Sequence, residues 1–320
     1  EDNLYIQGRG DPYLISEEIA TIAERLGQRV SRINDIILDA SAFRLTGAAD
    51  GAGASLNPYD AANGALVANF NTINITVSPE GRIRSAEPQT PTLPLMQELG
   101  KGLAPGSHRL NICSEPENVL RHVGELFRAF QVRSGIAGEG RIRPGRTPAG
   151  LEPVYVHRSS RDLSEIVRGL MLYSNNFIAN QLFLTYGAQG AGYPATWEKA
   201  RRRLQEFLHR EVGLAPQTIQ VEEGSGLSRR NRITPRAMSK LLAAFRPYAH
   251  LLPLDRGRLL KSGTLTGVYA YAGYFQNGEK LDSVVLILNQ EKNQRDRLLD
   301  LLERLYRNPA LMARHAQAEQ

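Results

Sequence analysis

The sequence predicts an α+β fold, and three observations carry that expectation. The C-terminal part holds two β-rich runs, Leu259 to Phe275 and Leu281 to Asn289, around Asn277-Gly278, the dipeptide that best supports a tight hairpin turn. Between about residue 150 and residue 245 apolar residues recur at helical spacing, and a closing helix is expected from about Gln294 to Tyr306. Antiparallel strands backed by helices, without a regular strand-helix alternation, argue against a doubly wound sheet.

The elements follow in order along the chain. Ser16 to Leu26 places Ile19, Ile22, Ala23 and Leu26 on one face behind a serine cap, and a short apolar strand, Ile36 to Leu38, comes next. Residues 45 to 64 have the Gly, Asn, Asp and Pro chemistry of a loop, before Ile73, Ile75 and Val77 alternate as a half-buried strand. Ser114 can cap a helix carrying Leu120, Val123, Phe127 and Phe130, and proline-bearing stretches at 88–94 and 144–153 flank that region. The helix Asp162 to Tyr173 is expected to bury Leu163, Ile166, Val167, Leu170 and Met171; it breaks at Ser174-Asn175-Asn176, and a second apolar helix starts at Phe177. Ala195 to Val212 is a further helix stopped by Gly213, and Thr234-Pro235 caps one that runs to about Phe245.

At 320 residues and 35.4 kDa the chain is long enough for two or three packed domains. Cys113 is the single cysteine, so no intrachain disulfide forms, and no Cys/His cluster has metal-ligand spacing. No apolar run approaches the roughly 20 residues of a membrane helix. The net charge of +6 permits a polyanion partner, but the basic residues are spread along the whole length without aromatic interleaving, so a solvated basic surface is the simpler reading and no nucleic-acid partner is expected. Only six of the 39 basic residues are lysines, which draws attention to each titratable amine. The six histidines are scattered and read as surface or satisfied core residues. Glu223 stands where a hydrolase elbow Gly-x-Ser-x-Gly needs its first glycine, so Gly224-Ser225-Gly226 reads as a shaping loop. No cofactor and no metal are indicated.

Two short stretches carry candidate chemistry. Lys261, Ser262, Gly263 and Thr264 offer an ammonium, two hydroxyls and a glycine that admits a ligand backbone, a set suited to a peptide carboxylate held along a strand edge. The plain alternative is an exposed edge lysine before a turn-prone pair. Ser174, Asn175 and Asn176 lie between strongly apolar helices, where they must satisfy one another or line a cleft that a substrate enters.

Ser-x-Asn at Ser174 and Asn176, followed 87 positions later by Lys-Ser-Gly at Lys261, gives two of the three motifs of the penicillin-recognising serine acyltransferases in their order. Further likeness lies in Leu4 to Pro12 (LYIQGRGDP), Asn57 to Asp60 with Asn69 to Asn71, Glu223 to Arg229, and Gly263 to Tyr269 leading to Ala272 and Gly273. The chain resembles the class C low-molecular-mass penicillin-binding proteins, the D-alanyl-D-alanine carboxypeptidase/endopeptidase family. The resemblance implies a penicillin-binding-protein or serine β-lactamase-like transpeptidase domain, an antiparallel sheet with helices, interrupted by small accessory domains. Residues 1–150 would be mainly that accessory region and residues 151–320 the later part of the catalytic domain.

In family terms Ser174 relays a proton toward the leaving group, and Asn176, with Asn175 beside it, positions the lysine and the substrate amide. Lys261 stabilises charge and assists the relay, Ser262 and Thr264 hold the terminal carboxylate beside Gly263, and the Thr264 N–H forms half of an oxyanion hole. The implied activity is a serine D-alanyl-D-alanine carboxypeptidase working through an acyl-enzyme, with endopeptidase action on cross-linked stems left open. The implied partners are peptidoglycan stem peptides ending in D-Ala-D-Ala, with β-lactams as acylating inhibitors, in a periplasmic or other extracytoplasmic setting. One departure is large: Glu98, Thr196, Ala237, Arg258, Asn277 and Asn289 stand three residues before the six lysines, so no Ser-x-x-Lys is present. That motif is expected upstream of residue 1, and the alternative is a non-catalytic peptide-binding homologue without it. Ser262 and Asn175 replace the commoner threonine and aspartate, both conservative for hydrogen bonding. An isolated fragment lacking the nucleophile segment is expected to be inactive and, with an apolar cleft and a sheet edge uncovered, poorly stable.

Overall fold

The computed structural model describes residues 2–53 and 55–308. In chain order the elements are β1 (Leu4–Gln7), α1 (Ser16–Gly27), β2 (Ile36–Asp39), β3 (Thr72–Val77), β4 (Ile83–Ser85), α2 (Pro94–Leu99), β5 (Gly106–Asn111), α3 (Pro116–Arg133) and β6 (Ile142–Pro144). There follow α4 (Leu163–Tyr173), α5 (Asn176–Ala191), α6 (Trp197–Arg210), β7 (Ile219–Gln220), β8 (Arg232–Ile233) and α7 (Pro235–Phe245). The last elements are β9 (Leu254–Asp255), β10 (Arg258–Leu265), β11 (Val268–Asn277), β12 (Lys280–Asn289) and α8 (Arg295–Arg307). The chain forms two compact units: one holds the residues up to Ile166 with Asn175–Glu206 and Val221–Arg229, the other Val167–Ser174, Phe207–Gln220 and the chain from Arg230 onward.

In the first unit β1, β2 and β6 pair in parallel, and β4, β3 and β5 form an antiparallel sheet. All four residues of β2 are buried, as expected of a strand covered on both faces of a parallel sheet. Ile19, Ile22 and Leu26 of α1 and Val123, Leu126, Phe127 and Phe130 of α3 share one core with Ile36, Leu38, Ile73 and Ile75. The periodicity of α1 and α3 was legible, but their caps were not: the N-cap of α1 is Ile15, with Ser16 already helical, and that of α3 is Glu115, where Pro116 begins the helix with its fixed φ. A second cluster packs Phe183, Leu184 and Ala188 of α5 against Trp197 and Ala200 of α6.

One histidine departs from the expected satisfied state. His122 on α3 is fully buried and, among the described residues, neither ring nitrogen has a hydrogen-bond partner, so burial holds the imidazole neutral and pushes its pKa down to about 4. An unfolded chain titrates this group near 6.5 and therefore binds more protons than the folded one between the two values. Stability is retained above pH 6.5 and is lost by about 3 kcal/mol as pH falls toward 4. Denaturant unfolding of the wild type and His122→Leu at pH 7 and pH 4 should show the variant losing less stability by that amount; equal losses would show that His122 is not the titrating group.

The second unit is built on the antiparallel sheet β12-β11-β10-β9. Its register runs from Arg258 opposite Phe275 to Leu265 opposite Val268, and from Val268 opposite Asn289 to Asn277 opposite Lys280. The run Leu259 to Phe275 is thus two strands, because Gly267, at φ +77, lets Thr266 and Gly267 reverse the chain. The Asn277-Gly278 turn lies where the sequence places it, between β11 and β12. Tyr274 packs with Leu242 of α7, Ala249 and Leu252, while Phe275 and Val284 pack with Leu299 of α8. Arg258 donates from Nε to Glu303 Oε2 at 2.7 Å, which ties the later turns of α8 to the first residue of β10.

Helix α4 is less buried than its pattern predicts. Of Leu163, Ile166, Val167, Leu170 and Met171 only Ile166 is buried, and Leu163 is 63% exposed. Leu172 and Tyr173 are exposed as well, so the helix carries apolar residues around much of its circumference. An apolar period marks a face able to pack, and burial also needs a packing partner in space.

Candidate active site

Ser174 follows the last residue of α4 with φ +51, a left-handed backbone unusual for a residue with a Cβ. This conformation ends α4 and presents the hydroxyl to β10, where Lys261 Nζ donates a short hydrogen bond to Ser174 Oγ and a second, at 3.1 Å, to the Ser262 carbonyl. Partial burial lowers the Lys261 pKa below its ordinary value, and the positive charge of Arg295 lowers it further. An ammonium only donates, so while Lys261 is charged the Ser174 hydrogen must point to some other acceptor; as Lys261 loses its proton it becomes an acceptor itself. A lysine and serine so coupled can pass a proton in either direction.

The Lys-Ser-Gly stretch lies mid-strand on β10. Period-two alternation puts Lys261 and Gly263 on one face and Ser262 and Thr264 on the other. On one side β10 is fully paired with β11, whereas on the other β9 pairs only with Arg258 and Leu259. Among the described residues Leu260 to Leu265 therefore have no strand partner on that edge, and Ser262, Gly263 and Thr264 are exposed there. Such an edge can accept an extended peptide through main-chain hydrogen bonds.

Asn175 and Asn176 belong to the first unit. Asn175 is the N-cap of α5, its side-chain oxygen accepting the Ile178 N–H at 3.0 Å, so that oxygen serves the helix. Asn176 opens α5, and its Nδ2 donates to the Tyr59 carbonyl at 3.4 Å. The shaping loop at Glu223 is organised around that buried carboxylate, which accepts the backbone N–H groups of Ser225 and Gly226 at 2.7 and 2.8 Å. Cys113 is no rival nucleophile: burial pushes its thiol up to about 11, and its sulfur accepts the Ala62 N–H.

Arg295 is the site-proximal residue that motif reading missed. Its Nη1 donates to the Gly263 carbonyl at 2.8 Å and to Thr264 Oγ1 at 2.6 Å, and its guanidinium carbon lies 4.7 Å from the Tyr271 ring centroid. A signal was present, since a cation at the first position of a helix opposes the helix dipole and needs a reason elsewhere. Among the described residues no group of three or more His, Cys, Asp or Glu could hold a metal, and no helix is long and apolar enough to cross a membrane.

Residues 101–256 match the D-Ala-D-Ala carboxypeptidase 3 (S13) family. A D-alanyl-D-alanine carboxypeptidase of Actinomadura sp. (strain R39) is 26% identical, over 87% of this chain and 64% of that protein. The D-alanyl-D-alanine carboxypeptidase DacB of Haemophilus influenzae is 25% identical over 53% of this chain and 41% of that protein. This chain thus spans less than two thirds of either relative's length. In fold it is similar to the crystal structure of penicillin binding protein 4 (dacB) from H. influenzae, with TM-score 0.73, 18% identity, and 91% of this chain and 77% of that one covered. The same protein complexed with a β-lactam gives TM-score 0.67 at 18% identity, covering 91% and 76%. These matches bear out the α+β, penicillin-binding-protein-like fold. The resemblance read from the motifs holds: residues 101–256 match the D-Ala-D-Ala carboxypeptidase 3 (S13) family, and the chain is similar to two D-alanyl-D-alanine carboxypeptidases.

Proposed function

We propose that this chain forms most of a serine D-alanyl-D-alanine carboxypeptidase that acts outside the cytoplasm on peptidoglycan stem peptides. The observation that carries the proposal is the hydrogen bond to Ser174 from Lys261, in the middle of a strand whose edge beyond Lys261 has no strand partner among the described residues. On this reading residues 1–150 are mainly the inserted accessory region and 151–320 the later part of the catalytic domain. A stem peptide lies along β10 with its terminal carboxylate at Ser262 and Thr264. A serine Oγ bonds to the carbonyl carbon of the penultimate D-alanine, the C–N bond to the last D-alanine breaks, and the serine proton reaches the leaving amine through Ser174. Water then hydrolyses the ester and restores the serine. Carboxypeptidase action releases a single terminal residue; on a cross-linked stem the same chemistry is endopeptidase action.

The reading requires a nucleophile beyond the residues described, since no lysine of the 320 follows a serine by three positions. The test is the intact mass of the natively expressed protein before and after incubation with a β-lactam. A parent mass above 35.4 kDa that gains one drug mass supports the reading and locates the acylated serine by peptide mapping. A parent mass of 35.4 kDa that gains none favours a non-catalytic peptide-binding homologue.

A further inference from the structure

Arg295 stands where helix stability alone would not put it. The first turn of a helix favours acidic side chains, yet α8 opens on an arginine whose side chain is only 15% exposed. Among the described residues its Nε is buried without a hydrogen-bond partner, 3.9 Å from Asp296 Oδ1, and Asp296 itself is largely exposed and accepts the Tyr271 hydroxyl at 2.7 Å. The guanidinium is held from three directions: by the Tyr271 ring, the Gly263 carbonyl and the Thr264 hydroxyl oxygen. Tyr271 is the register partner of Ser262, so the platform under Arg295 is built into the β10–β11 pairing. At the other end of α8 the Arg258–Glu303 bond fixes the helix along the same strand.

The donor inventory gives this arrangement a direction. A guanidinium has no acceptor, so Arg295 must donate to Thr264 Oγ1, and the threonine hydrogen is turned away from it. That hydrogen is left for a different acceptor, on a residue next to the segment that has no strand partner among the described residues. Lys261 projects on the opposite face of β10, so positive charge flanks the exposed Ser262–Thr264 segment from both sides. Planar guanidinium groups stacked on an aromatic ring keep their charge and orientation under partial desolvation, which a flexible ammonium does less well.

We infer that Arg295 is a positioning residue for a terminal carboxylate: it sets the Thr264 hydroxyl as a donor and adds charge beside the β10 edge, so that the site prefers peptides ending in a free carboxylate over the same peptides capped as amides. This rests on the peptide-binding reading above and adds to it a specificity element outside the recognised motifs.

The test compares an N-acetylated tripeptide ending in D-Ala-D-Ala with its C-terminal amide, as competitors of a fluorescent β-lactam in the native protein. Wild type should favour the acid, and Arg295→Gln should lower affinity for the acid by about tenfold or more while leaving the amide unchanged, the loss of one charge-assisted contact. Arg295→Lys should recover part of the acid preference, because it restores charge without the planar stack. Equal losses for acid and amide, or an acid preference unchanged in Arg295→Gln, would overturn the inference while leaving the peptide-binding reading intact. Wild type that binds neither peptide would overturn both.

Discussion

Lys261→Ala is expected to slow β-lactam acylation by about a hundred- to ten-thousandfold, the range for loss of a proton-transfer group. The variant removes the ammonium that donates to Ser174 Oγ and to the Ser262 carbonyl, so the relay loses a member and the strand loses an internal tie. Ser174→Ala should cause a loss of similar order, and the double variant should be little worse than either single one, because residues acting as a unit are not additive. Rates from the time course of adduct formation by mass spectrometry suffice. A single variant that acylates at the wild-type rate, or a double variant whose loss is the product of the two, would sever the functional link that the hydrogen bond suggests. The acylation rate of the wild type should also rise with pH on the alkaline side at a pH below that of an ordinary lysine, since burial and the Arg295 charge both lower the Lys261 pKa.

Gly273→Ala should be nearly as damaging, through the fold. Gly273 lies in β11 opposite Leu260, next to the Ala272–Lys261 pair. A Cβ there would stand 2.0 Å from the Leu259 carbonyl oxygen, far inside contact distance, and φ is +154, a value that residues with side chains rarely adopt. The clash is with backbone, so no side chain can rotate to relieve it; β10 and β11 must separate where the strand carries Lys261. The expected cost is about 3 kcal/mol or more, at the upper end for overpacking. Acylation should be lost with it even in molecules that stay folded. Chemical unfolding together with the adduct assay separates the two effects. A stable Gly273→Ala protein with normal acylation would show that the strands part there at little cost.

Much of the architecture was legible because it is local. The apolar period of Ile19, Ile22 and Leu26 declares α1 and its buried face, and Asn277-Gly278 declares the β11–β12 turn. The run Leu259 to Phe275 was read as one because its apolar and small residues continue across the reversal, where only Gly267 marks the turn. The parallel pairing of β1, β2 and β6 was not legible, since it joins Leu4 to Ile36 and Ile36 to Ile142, segments far apart in the chain, through strands of three or four residues. Helix α4 shows the same limit from the other side: its periodicity is plain, but exposure of Leu163 depends on what lies beside it in space.

The candidate site divides along the same line. By itself the sequence determined which chemistry is on offer, a serine and two amides at 174–176 and an amine with two hydroxyls at 261–264, because residue type and spacing are written in the chain. Only the tertiary structure decided that Ser174 meets Lys261 across 87 positions, that the Asn175 oxygen is spent on a helix cap, and that Arg295 reaches Thr264. The Arg295 contact follows from the packing of α8 and the Ser174 contact from the end of α4, while the Asn175 cap is local to α5; hydrogen bonds reach only about 3 Å, so strand pairing and helix docking select which distant donors find an acceptor.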